Sequence, residues 1–75
     1  MTASDMFKEL HYKQVSPSSD FEEASYLGIN DEGIFEIVFC KDGFIEYRFN
    51  NQVISFYHDE LLAMIQQCRE LGWIE

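Results

Sequence analysis

Two histidines, His11 and His58, and two cysteines, Cys40 and Cys68, are the side chains best suited to nucleophilic or metal chemistry. Their spacing argues against both. Zinc ligands come in short-spaced pairs, and neither histidine has a second histidine or cysteine at such a distance. A cysteine–histidine nucleophile pair asks for an electropositive setting that makes the thiolate, and this chain holds 5 Lys and Arg against 14 Asp and Glu. His58 reads as a residue at the opening of the last helix. Cys40 and Cys68 read as small apolar groups to be buried. The paired acids Glu22-Glu23, Asp31-Glu32 and Asp59-Glu60 have the chemistry of general acids and bases. Each falls in a turn or at a helix start, where acids are expected for structural reasons. There is no glycine-rich phosphate loop, no dinucleotide fingerprint, no HExxH and no CxxC, and the acidic turns lack calcium-loop spacing. The expectation is a protein that is not an enzyme and carries no cofactor and no metal.

What remains is charge. The formal net charge is -9 over 75 residues. The bases Lys8, Lys13, Lys41, Arg48 and Arg69 are scattered. Such a field repels nucleic-acid phosphates, so no direct nucleic-acid binding is expected. The same field steers toward a partner protein with a basic surface. The longest apolar run, Leu61-Leu62-Ala63-Met64-Ile65, is far short of the ~20 residues that span a membrane. The acidic, amphipathic N-terminus lacks the plan of a signal peptide. The expected compartment is the cytoplasm. Residues 1–75 are expected to form a single domain, with 47% hydrophobic residues to supply a core and only a short serine-rich surface loop at 16–20.

The elements that must position these residues follow from pattern. A short helix is predicted at about 3–10, capped by Thr2 or Ser4, with Met6, Phe7 and Leu10 on one side. Residues 12–15 read as a short extended piece. Strands are predicted at about 23–30, 34–40, 44–50 and 52–57. A three-residue loop, Lys41-Asp42-Gly43, sets Phe39 against Ile45, Ile37 against Tyr47 and Phe35 against Phe49. It also sets Glu36 against Arg48 on the other face. The loop Asp31-Glu32-Gly33 is expected to do the same upstream, with Ile29 against Phe35 and Leu27 against Ile37. A turn at Asn50-Asn51 would set Tyr47 against Ile54 and Ile45 against Phe56. The last helix is predicted at 59–71, stopped by Gly72, with Trp73 and Ile74 folding back. Its apolar stripe is Leu61, Leu62, Ile65, Cys68 and Leu71. The predicted fold is α+β: a four-stranded antiparallel meander with N- and C-terminal helices on one face, an α-β-β-β-β-α two-layer sandwich.

The sheet face away from the helices mixes acids with large apolar groups, as a partner surface does. The candidate partner-binding residues are Glu22, Glu23, Asp42, Asp59 and Glu60 as steering charges, with Phe44 and Tyr57 as anchors. Together with Asp20 the five acids are expected to gather at one end of the sheet as an acidic rim.

Both chain ends carry a resemblance. Met1-Thr2-Ala3 with Met6-Phe7 and Leu10-His11-Tyr12, then Glu60-Leu61, Ile65, Cys68 and Glu70-Leu71-Gly72-Trp73, resemble small uncharacterised proteins of phages and prophages of low-GC Gram-positive bacteria. Those proteins commonly carry Leu-Gly-Tyr where this chain has Leu10-His11-Tyr12. The resemblance implies an accessory protein acting inside a bacterial host cell and transfers no catalytic residue. The functional expectation is a small acidic accessory protein that acts by stoichiometric protein binding. One alternative is a nucleic-acid-mimicking inhibitor of a host nuclease or defence complex. Another is a homodimeric structural protein.

Overall fold

Thr2 begins the structure by capping. In the computed structural model, which describes residues 1–30, 33–49 and 58–75, the Asp5 N–H donates to the Thr2 hydroxyl and the Thr2 N–H donates to the Asp5 carboxylate, a reciprocal box. The helix it opens, α1, is Ala3–Glu9. It buries Ala3 and Phe7 completely. The chain leaves α1 through His11, at φ 69°. That left-handed conformation is the one in which helices commonly end and which glycine adopts most readily.

Among the described residues four strands follow: β1 (Tyr12–Val15), β2 (Glu22–Asn30), β3 (Gly33–Cys40) and β4 (Ile45–Phe49). They form one antiparallel sheet in the order β1-β2-β3-β4. The short extended piece at 12–15 is therefore an edge strand of the sheet. The strand predicted at 52–57, and the Asn50-Asn51 turn before it, lie outside the described residues. The last element, α2, is His58–Glu70. Its end closes through Gly72 N–H to Arg69 C=O at 3.0 Å and Trp73 N–H to Cys68 C=O at 2.9 Å. The α+β architecture with helices at both chain ends is the one predicted from pattern.

The β3–β4 register is also the predicted one: Phe39 opposite Ile45, Ile37 opposite Tyr47, Phe35 opposite Phe49 and Glu36 opposite Arg48. The loop Lys41-Asp42-Gly43 closes it with Gly43 at φ 85°, which suits a residue without Cβ. The β2–β3 register differs by one residue. Asn30 pairs with Gly33, so Gly28 faces Phe35 and Tyr26 faces Ile37, instead of Ile29 and Leu27. The slip turns β2 over. Tyr26 and Ala24 enter the core, while Ile29 is left exposed.

Gly28 explains part of this choice. A Cβ there would come within 3.0 Å of the Tyr12 ring. Only the bare backbone lets Tyr12, its partner across β1–β2, lie over the strand. Both helices cover this same face. Phe7 stacks on Tyr26 with ring centroids 4.1 Å apart and meets Tyr12 and Phe39 edge-on. Trp73 closes over Phe39 with centroids 6.2 Å apart. Ala3, Phe7, Tyr12, Tyr26, Phe35, Ile37, Phe39 and Ala63 form one buried cluster.

The stripe predicted for α2 is also corrected. Leu61 and Leu62 are exposed, and the buried positions are Ala63 and Gln67, with Met64, Cys68 and Leu71 packing on the core. The cause lies in the tyrosines. The Tyr26 hydroxyl donates to Gln67 Oε1 at 2.5 Å, and the Tyr12 hydroxyl donates to the Glu60 carboxylate. A hydroxyl buried without a partner costs about 1–3 kcal/mol. The helix is therefore turned so that Glu60 and Gln67, two turns apart, meet the two hydroxyls.

Candidate protein-binding site

Among the described residues, both helices pack on one sheet face and leave the other, the open face, without a helix. Its centre is organised by Arg48 on β4. The guanidinium donates to Glu46 at 2.5 Å and to Glu36 at 3.0 Å, and it lies 3.8 Å from Glu22. Glu36 also accepts from the Ser25 hydroxyl at 3.1 Å. Val38 and Ser25 are buried on this face, so the open face has a packed floor of its own.

Glu22 reaches this face through a β-bulge. Glu22 pairs with Cys40 while Ala24 pairs with Phe39, and Glu23 is the extra residue between them. Without the extra residue, Glu22 and Ala24 would share a face and a carboxylate would enter the core. With it, Glu22 turns to the open side. Although only 8% exposed, it is fully partnered. It accepts from the Ser18 N–H at 3.4 Å, from the Ser18 hydroxyl at 2.5 Å and from the Ser19 hydroxyl at 3.5 Å. The Ser18 hydroxyl is the main reason its carboxyl stays below the usual carboxylate range. Burial opposes this, while the Ser18 N–H, Arg48 and Ser19 add to it.

The sheet end next to Glu22 gathers two loops. The Lys41 N–H donates to the Phe21 carbonyl at 2.8 Å, tying residues 16–21 to the β3–β4 turn. The Cys40 N–H donates to the Phe44 carbonyl at 2.8 Å, and the Phe44 N–H donates to the Asp42 carboxylate at 3.0 Å. Phe21 is 52% exposed and Phe44 is 56% exposed. Asp20, Glu23, Lys41 and Asp42 are exposed beside them. Between the loop and the turn lies an open depression of about 490 Å³, lined in part by Ser18, Asp20, Glu22, Glu23 and Lys41.

Four of the seven candidate residues therefore share one end: Glu22, Glu23, Asp42 and Phe44. Asp59 and Glu60 do not join them. Glu60 meets Tyr12, which pairs with Gly28, while Glu22 pairs with Cys40. Six strand residues separate the two levels, about 20 Å at the usual rise. The acidic rim is split because α2 starts at the Gly33 end of the sheet and finishes, through Trp73, beside Phe39 at the other. Tyr57 lies outside the described residues. Phe21 belongs to the site and was not singled out by sequence reasoning. The signal was present in Asp20-Phe21-Glu22-Glu23, an aromatic set among acids, which a core-forming residue rarely is.

The remaining reactive groups have structural settings. Cys40 lies on the open-face side of β3 and Cys68 packs on the helix side, and both are free thiols. Burial pushes both thiols up, and for Cys40 the carboxylates of Asp42, Glu46 and Glu22 push further, the reverse of what a nucleophile needs. The Asp5 carboxyl is lowered by its capping partner Thr2. Burial first and the Glu60 hydrogen bond second push the Tyr12 hydroxyl well above the ordinary tyrosine value. Among the described residues no group of three or more His, Cys, Asp and Glu is placed to hold a metal ion, and no helix is long and apolar enough to cross a membrane. Compared with known protein families, curated proteins and solved structures, the chain matches no family model, no curated protein and no solved structure.

Proposed function

We propose that this chain is a non-enzymatic accessory protein of phage type that acts by stoichiometric binding to a protein with a basic surface inside a bacterial cell. The observation that carries the reading is the Lys41 end of the sheet. There two large aromatic side chains stay more than half exposed among carboxylates. Aromatic anchors within a charged surround are the composition of a protein interface. The net charge of -9 supplies the steering field. The phage setting is supported by the resemblance at the two chain ends.

Nucleic-acid mimicry is the weaker reading of the same charge. A mimic must display free carboxylates, and Glu22, Glu36 and Glu46 are engaged by Arg48. A homodimer is favoured by one observation: Ile29 and Ile34, directly paired across β2–β3, are both exposed on the open face. The test is capture of partners from bacterial lysate by tagged protein, with and without excess DNA, together with the mass of the purified protein. The expected result is a partner that DNA leaves in place. Release by DNA would favour mimicry, and a doubled mass with no partner would favour the dimer.

A further inference from the structure

Two acid–phenylalanine pairs, Asp20-Phe21 and Asp42-Gly43-Phe44, have their acids 22 positions apart in sequence. Two backbone hydrogen bonds, Lys41 N–H to Phe21 C=O and Cys40 N–H to Phe44 C=O, bring them to one corner of the sheet. We infer that this corner receives a linear, arginine-bearing segment of a partner protein, its guanidinium groups lying against the Phe21 and Phe44 rings and pairing with Asp20, Glu23 and Asp42. This inference rests on the protein-binding reading and names the chemistry of the partner.

Three features support that chemistry. The phenylalanines are apolar but unburied, so they need a ligand that gains from an aromatic face. A guanidinium does so, stacking on the ring while keeping its hydrogen bonds to carboxylates. The charge balance at the corner is anionic: Asp20, Glu23 and Asp42 are exposed against a single lysine, Lys41. The depression beside them, about 490 Å³, has acids along its wall and the buried Glu22 carboxylate in its lining. A second copy of the chain fits poorly, because it would bring another net charge of -9 against the same acids.

The probe is a synthetic peptide of alternating arginine and leucine, titrated into isotopically labelled full-length protein and followed by backbone amide shifts. A peptide of alternating glutamate and leucine is the control. The expected shifts centre on Phe21, Glu23, Lys41, Gly43 and Phe44. The double variant F21S/F44S is expected to bind about tenfold more weakly or worse, since aromatic anchors dominate such contacts. K41E is expected to bind a few-fold more tightly by removing the like charge of the exposed lysine. K41E carries the test alone if the double variant does not give a folded spectrum. Shifts spread evenly over the acids of the whole chain, an unchanged affinity in F21S/F44S, a weaker one in K41E, or no binding would each overturn the inference. If it is overturned while the wild-type protein still captures a partner from lysate, the arginine-bearing segment is wrong and the protein-binding reading stands. If capture fails too, the wider reading falls with it.

Discussion

Among the described residues, His11 is the non-glycine residue with a positive φ. Its φ of 69° is the left-handed turn between α1 and β1, and its side chain is exposed. A side chain in that conformation costs roughly 1 kcal/mol relative to glycine, and here little packing offsets it. His11→Gly is expected to stabilise the protein by about 1 kcal/mol, raising the melting temperature by roughly 4–8 °C for a domain this small. Thermal unfolding by circular dichroism checks it, and an unchanged or lower melting temperature would contradict the assignment of strain to this position. Glu22 gives a second test at the same scale. Its carboxyl titrates below its ordinary value of 4.5 in the folded protein. A group lowered on folding contributes stability above its unfolded pKa, and that contribution is lost as pH falls through the folded one. Glu22→Gln should therefore flatten the loss of stability as pH falls through and below the ordinary carboxyl value of 4.5. An acid melting series on the two proteins would show an equal slope if Ser18 and Arg48 do not hold the charged form.

At the scale of elements, α2 is set by hydrogen bonds as much as by apolar area. Gln67→Ala leaves the Tyr26 hydroxyl buried without its acceptor and is expected to cost about 1–3 kcal/mol. Tyr26→Phe combined with Gln67→Leu removes donor and acceptor together and is expected to cost less than the two single changes summed. Denaturant unfolding of Tyr26→Phe, Gln67→Leu and the double variant measures this, and simple additivity would contradict the coupling. The same hydrogen bonds explain what could be read in the sequence and what could not. The β3–β4 pairing was legible because Phe39, Ile37, Ile45 and Tyr47 agree on one face, while Glu36 and Arg48 agree on the other. Shifting the register breaks both patterns. The β2–β3 pairing was not, because Leu27 and Ile29 make as good an apolar face as Ala24 and Tyr26. What decides between them is the fit of Tyr12 over Gly28 and the reach of Tyr26 to Gln67, which apolar periodicity does not encode. For the same reason Leu61 and Leu62 misdirected the stripe of α2, where Glu60 and Gln67 face inward.

At the scale of the whole molecule, the layout separates two tasks. The helix face is closed by an aromatic core around Phe7, Tyr26 and Phe39. The open face keeps its arginine-centred network, and the Lys41 end of the sheet carries exposed aromatics with acids around them. The grouping of Glu22, Glu23, Asp42 and Phe44 was legible from strand order alone. The separation of Asp59 and Glu60 was not, since it depends on which end of the sheet α2 starts from, and Tyr12 reaching Glu60 fixes that. The central claim is that the acidic, aromatic end of the sheet binds a basic protein. The most direct measurement is quantitative capture from bacterial lysate by wild-type protein and by the triple variant Asp20→Asn, Glu23→Gln, Asp42→Asn, with the wash salt stepped upward. The expected result is a partner held in near-equal molar amount by the wild type, released as salt rises and lost from the triple variant. Equal capture by both proteins, or none by the wild type, would contradict it.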